Sequence, residues 1–155
     1  MTGDYYGRSW EGTQPNEPVV WLVGVVDDDE SVREAISSLL RSAGYRCSVF
    51  PSAKAFLESD TLEATDCMVL DVRMPEVTGP ELQTKLRAMN SAVPVIFVTA
   101  HADDEVRARA LREGATAFLN KPFSEDALLD AIRSALNGQM RNSAPEAGRL
   151  RLRLN

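Results

Sequence analysis

Between Val19 and Asn137, short β-branched apolar runs alternate with stretches of helical period, and this order leaves few folds open. It is the mark of βαβ units and of a mainly parallel sheet covered by helices. Five strand–helix pairs are counted. The strands are predicted at Val20 to Val26, Arg46 to Phe50, Cys67 to Leu70, Val93 to Val98 and Ala117 to Leu119. The first, third and fourth are almost uniformly apolar, as expected where both faces of a strand are buried.

Helical stripes are read in four of the intervals. Val32, Ile36, Leu39, Leu40 and Ala43 make one face of a first helix, with a capping box predicted from Ser31 and Glu34 and a stop at Gly44. Leu82, Leu86 and Met89 mark another, behind Gly79 and Pro80. The segment Asp103 to Glu113 has only Val106, Ala110 and Leu111, a thin stripe that predicts a loosely held helix. Leu128, Ala131, Ile132, Ala135 and Leu136 define the last, with Gly138 as its expected end.

The 155 residues fit one domain, expected at 19–138, between a polar leader at 1–18 and a basic tail or linker at 139–155. Residues 19–138 carry 19 acidic and 12 basic side chains, a poor surface for nucleic acid, whereas 139–155 hold four arginines and one glutamate. The tail reads as a solvated linker. No apolar run approaches the roughly 18 residues that cross a bilayer, and the start does not resemble a secretion signal, so a cytoplasmic location is expected. Cys47 and Cys67 sit in separate apolar runs and are expected to be reduced, small hydrophobes.

Ligands of a parallel α/β sheet bind beyond the carboxyl ends of its strands. There the sequence places Asp27-Asp28-Asp29-Glu30, Asp71, Thr99 and Asn120-Lys121-Pro122. Asp29 and Glu30 are expected to open the first helix. If the first and third strands are neighbours, Asp27, Asp28 and Asp71 converge. Charges about 4 Å apart repel by about 4 kcal/mol at an effective dielectric of 20, so protons or a cation must enter. An all-oxygen set with few carboxylates suits Mg²⁺ better than Ca²⁺.

These residues resemble the receiver domain of two-component response regulators. The pieces are VVDDDES, LDVRMP with Gly79 eight residues past Asp71, VTAH and FLNKPF, in the family's order and at its spacing. The wording of LDVRMP, FVTAHAD and AFLNKPF is closest to FixJ-like regulators. The resemblance implies a flavodoxin-like, CheY-like (βα)₅ fold, doubly wound, with strand order 2-1-3-4-5. It implies that Asp71 accepts a phosphoryl group from a sensor histidine kinase and that Asp27, Asp28, Asp71 and the Arg73 backbone carbonyl hold Mg²⁺. Lys121 and Thr99 would contact the phosphoryl oxygens, and Phe118 would fill the place of the aromatic that turns inward on activation. Asp71 would need no general base, being already an anion. Arg73 and His101 occupy positions that influence phosphoryl lifetime, although His101 reads equally as an exposed loop imidazole and Phe118 as plain core. Lys121–Pro122 would be a cis peptide. Readout would fall on the Asp103–Glu113 helix, the last strand and the last helix, and a homodimer would use the two helices.

Two other classes share some of these residues. A haloacid-dehalogenase-like phosphatase would use Asp27-x-Asp29 with Thr99 and Lys121, but it leaves Asp71 without a role and lacks an acidic pair after the lysine. A degenerate receiver acting only as a binding module is disfavoured because all five site residues are present. For output, a stand-alone receiver that docks to a downstream protein is expected; the alternative is the receiver half of a FixJ-like DNA-binding regulator. Trp21 has no functional account.

Overall fold

The computed structural model describes residues 20–101 and 103–142. Its strands are β1 (Leu22–Val26), β2 (Arg46–Phe50), β3 (Cys67–Asp71), β4 (Val95–Thr99) and β5 (Ala117–Asn120). The helices are α1 (Glu30–Ser42), α2 (Ala53–Glu58), α3 (Gly79–Ala88), α4 (Asp104–Arg112) and α5 (Glu125–Asn142), with a 3₁₀ turn at Leu62–Ala64. The five strands are parallel, in the order β2-β1-β3-β4-β5. That is the predicted order.

Side chains alternate across each strand, so the sheet has a core on each face. On one, Val23, Val25, Val69, Ile96 and Val98 pack against Ile36 and Leu40 of α1 and Leu128, Ile132, Ala135 and Leu136 of α5. On the other, Met68, Leu70, Val95, Phe97 and Phe118 pack against Ala53 and Phe56 of α2, Leu82 and Leu86 of α3 and Ala110 of α4. Trp21, just before β1, lies half-buried against the first of these cores.

Several local details differ from expectation. The cap of α1 is Asp29, whose carboxylate accepts from the backbone N–H groups of Ser31 and Val32; the predicted Ser31/Glu34 capping box is not the one formed. An aspartate two residues earlier reaches the orphan N–H groups first. The reciprocal box occurs instead at α3, between Thr78 and Glu81. Gly44, at φ +95°, does follow the end of α1, a conformation suited to a residue without Cβ. Gly138 does not end α5, which runs on to Asn142, past the expected domain boundary. Ala43, Met89 and Leu111, assigned to apolar stripes, are all exposed, Met89 at 55% and Leu111 at 39%. The α2 helix gave no stripe because six residues show too little periodicity; Ser52 caps it by accepting from Ala55 N–H at 3.0 Å. Both cysteines are free; burial, then the charge of Asp66, pushes the Cys67 thiol up to about 12, where it is unreactive. The proposed leader and residues 143–155 of the basic tail lie outside the described residues.

Candidate functional site

Register brings the acidic residues together. Val26 of β1 pairs with Leu70 of β3, so Asp27 and Asp71, the next residue of each chain, emerge side by side. Asp71 in turn stands opposite Val98 of β4, and Thr99 opposite Asn120 of β5, which puts Lys121 just past the same edge. The carboxylates of Asp27, Asp28 and Asp71 each offer an oxygen within 4.8 Å of the others. The convergence expected from the sequence is therefore met.

The cluster is mostly buried. Asp27 and Asp71 are 0% and 5% exposed, while Asp28 faces solvent. Lys121 Nζ lies 2.9 Å from Asp27 Oδ2 and 3.7 Å from Asp71 Oδ1, one ammonium between two carboxylates. Asp27 also accepts from Asp29 N–H on Oδ1 at 2.9 Å. Asp71 Oδ1 accepts from Arg73 N–H at 3.4 Å, a long bond. Burial is the largest influence on Asp71 and the Asp27 charge the next; together they raise its carboxyl to about 6, against the pull of Lys121 and the Arg73 N–H. Asp71 is thus an anion at neutral pH, but with roughly a tenfold excess over the acid form rather than the thousandfold of a free carboxylate. The repulsion anticipated from the sequence is real and only partly relieved by the lysine. A hard divalent cation suits three crowded oxygen donors, so this set fits Mg²⁺.

The remaining site residues take up distinct positions. Thr99 is 1% exposed, and its hydroxyl accepts from His101 N–H at 3.2 Å. The His101 contact is thus made by backbone, with the residue itself exposed. Arg73 is likewise exposed and meets Asp71 through its own N–H. Phe118 stands apart from the acids, 6% exposed within the α2–α3–α4 core. Lys121 donates its N–H to the Thr99 carbonyl at 2.6 Å, and the Lys121–Pro122 bond is cis, as expected.

Two contacts escaped the sequence reading. Arg33 of α1 donates from Nη1 to the Asp27 carbonyl at 2.7 Å, tying the helix to the loop that carries the acids. An arginine on a polar helix face gives no signal of that. Gly79 opens α3 so close to β3 that a Cβ there would lie 2.3 Å from the Asp71 backbone oxygen; its place after Asp71 was visible, its reason was not.

A family model of the response regulator receiver domain matches residues 23–133. The chain belongs to this family. As a receiver it is 43% identical over 132 residues to the response regulator protein TmoT of Ectopseudomonas mendocina, which covers 84% of this chain and 60% of that protein. It is 39% identical over 112 residues to the transcriptional regulatory protein FixJ of Bradyrhizobium diazoefficiens, with 72% and 55% covered. Among solved structures, the response regulator StyR matches with a TM-score of 0.75 and 46% identity over 84% of this chain and 66% of that one. FixJ-N matches with 0.70 and 31% over 77% and 96%. The receiver spans about 60% of the length of the first of these curated relatives. Membership sets aside the phosphatase reading. Among the described residues, no helix is long and apolar enough to cross a membrane.

Proposed function

We propose that this receiver accepts a phosphoryl group on Asp71 from a phosphohistidine of a sensor kinase. The observation that carries the proposal is the buried, crowded Asp71 carboxylate, 3.7 Å from Lys121 and within reach of Asp27 and Asp28. A carboxylate oxygen of Asp71 attacks phosphorus as the bond to the imidazole nitrogen breaks, and the nitrogen regains its lone pair. No proton need leave Asp71, provided the pH is above its raised pKa.

Asp27, Asp28 and the Arg73 backbone carbonyl would hold Mg²⁺ beside Asp71. When bound, the ion offsets negative charge on the transferring oxygens. Lys121 adds a second positive charge on the other side and orients the phosphoryl group. Thr99, now hydrogen-bonded to His101, is placed to turn its hydroxyl toward the new acceptor oxygens. That turn would open space beneath Thr99 for the Phe118 ring, the part of the core that answers. Charge-assisted hydrogen bonds contribute about 1.5–3 kcal/mol each, and inverting a 1:99 equilibrium needs about 5.5 kcal/mol, so two or three new contacts suffice. Arg73 and His101, both exposed at the mouth of the pocket, set how readily water reaches the phosphoryl group. The chain then works as a cytoplasmic switch that assists its own phosphorylation and dephosphorylation. Its output passes through α4, β5 and α5, by docking to a protein or by forming a homodimer.

Acetyl phosphate with and without Mg²⁺, followed by intact mass, tests the proposal. One phosphoryl group should be gained only with the metal, and none by Asp71→Asn. A gain that survives this substitution refutes it.

A further inference from the structure

Phe118 has two neighbours that none of these roles uses. Its ring is tilted at 47° against Phe97, with centroids 6.1 Å apart, and the guanidinium carbon of Arg107 lies 5.9 Å from its centroid. Phe118 is buried and Arg107 is exposed on α4, so the guanidinium closes over the ring from outside. Two residues on, around the helix from it, Arg109 is held by Glu113 at 3.2 Å. Among the described residues, Arg107 makes no such ion pair. Of the two acids one turn before it, Asp103 has Oδ1 engaged by the N–H groups of Glu105 and Val106, and Asp104 forms no ion pair with Arg107. The cation is left to the face of the ring, whose quadrupole attracts it.

From Phe97 the contacts continue inward. A Cβ at Gly79 would stand 2.9 Å from Phe97 Cε1 and 2.3 Å from the Asp71 backbone oxygen. Asp71, Gly79, Phe97, Phe118 and Arg107 therefore form a row of close neighbours from the acidic pocket to the outer face of α4. The last link matters because α4 buries only Ala110.

We propose that Arg107 is a positioning residue that clasps α4 onto Phe118, holds the ring in the core, and so couples α4 to the acidic pocket. This rests on the reading of Phe118 as the group that answers phosphorylation of Asp71. Any contact that favours the buried ring then favours the phosphoryl-bound pocket, and linkage requires the converse. An arginine at this position is more than a solvated charge.

The test titrates the full chain with beryllofluoride in Mg²⁺ while following the Phe118 ring by NMR. Arg107→Leu and Arg107→Lys are compared, each alone and combined with Phe118→Leu, after thermal unfolding has shown every variant folded. Arg107→Leu should weaken apparent beryllofluoride affinity about two- to fivefold and move the ring resonances toward an exposed environment. Arg107→Lys should keep most of the affinity, and in the Phe118→Leu background neither change should matter. An equal effect of Arg107→Leu in both backgrounds overturns the clasp, as does no effect while Phe118→Leu alone shifts affinity. If Phe118→Leu changes nothing and the ring ignores beryllofluoride in the unsubstituted chain, the switch reading falls, and the coupling with it.

Discussion

The face of the sheet under α1 and α5 is filled almost wholly by Val, Ile and Leu, whereas the face under α2, α3 and α4 holds Phe56, Phe97, Phe118, Met68 and Met74 among its buried side chains. Helix length follows the same division. The first face has helices of 13 and 18 residues, the second has helices of 6, 10 and 9. Each fully buried Leu or Ile contributes about 1.5–3 kcal/mol, and α5 places Leu128 and Ile132 out of solvent altogether. By contrast, α4 contributes one buried alanine. One face anchors the fold; the other, with aromatic rings and flexible thioethers set among its aliphatic side chains and a lightly held helix over them, has packing that can change without unfolding the domain.

The sharpest way to break this division is to damage the anchoring face and look for an effect on the pocket. Ile132→Ala should cost about 2–5 kcal/mol in urea denaturation while leaving the beryllofluoride affinity of the folded protein unchanged. A large change in affinity would show that the two faces are not separable.

An effect of opposite sign is expected where the faces meet. The folded pKa of Asp71, about 6, lies above its ordinary value of 3.8, so its ionised form opposes folding. The metal-free protein should gain stability as the pH falls from above 6 toward 4. Asp71→Asn should accordingly stabilise it at pH 8 by about 3 kcal/mol, the gain fading to nothing below pH 4, measured by urea unfolding in chelator. Apparent Mg²⁺ affinity should weaken as the pH drops through 6, since proton and metal compete for Asp71. Equal stability of Asp71→Asn and the unsubstituted chain at pH 8 would contradict the crowding.

Legibility in the sequence also follows the division. Stripes on α1 and α5 are long and aliphatic, so both helices and most of their buried residues could be read directly, although Ala43 of the α1 stripe falls at the exposed helix cap. On the other face, α2 is too short to show a period. In α4 and α3, Leu111 and Met89 fit the stripes but face solvent, because apolar character alone does not say whether a neighbour lies above. The site was legible because strand ends and carboxylates are local features, and a parallel register carries Asp27 and Asp71 to one edge. The Arg33 contact with the Asp27 carbonyl, the closeness of Gly79 to β3 and the stacking of Arg107 were not. Each depends on how a helix lies across the sheet, which no local pattern encodes.

A smaller effect is expected where α3 meets β3. Gly79→Ala should cost about 1–3 kcal/mol and weaken Mg²⁺ binding as well, because the added methyl meets the Asp71 backbone rather than a flexible side chain. Loss of stability with unaltered Mg²⁺ binding would mean that α3 yields and β3 does not. The smallest is at Leu111, 39% exposed on α4. Leu111→Ser should change stability by less than about 0.5 kcal/mol. It should still reduce the self-association that beryllofluoride induces, as measured by sedimentation, if α4 is an output surface.

Peptide mapping after exposure to acetyl phosphate and Mg²⁺, with borohydride reduction to trap the acyl phosphate, tests the central assignment most directly. A single modified residue at position 71, absent without the metal, is the expected result. Modification of Asp27 instead, or a protein that remains unmodified while binding Mg²⁺ normally, would contradict the role given to Asp71.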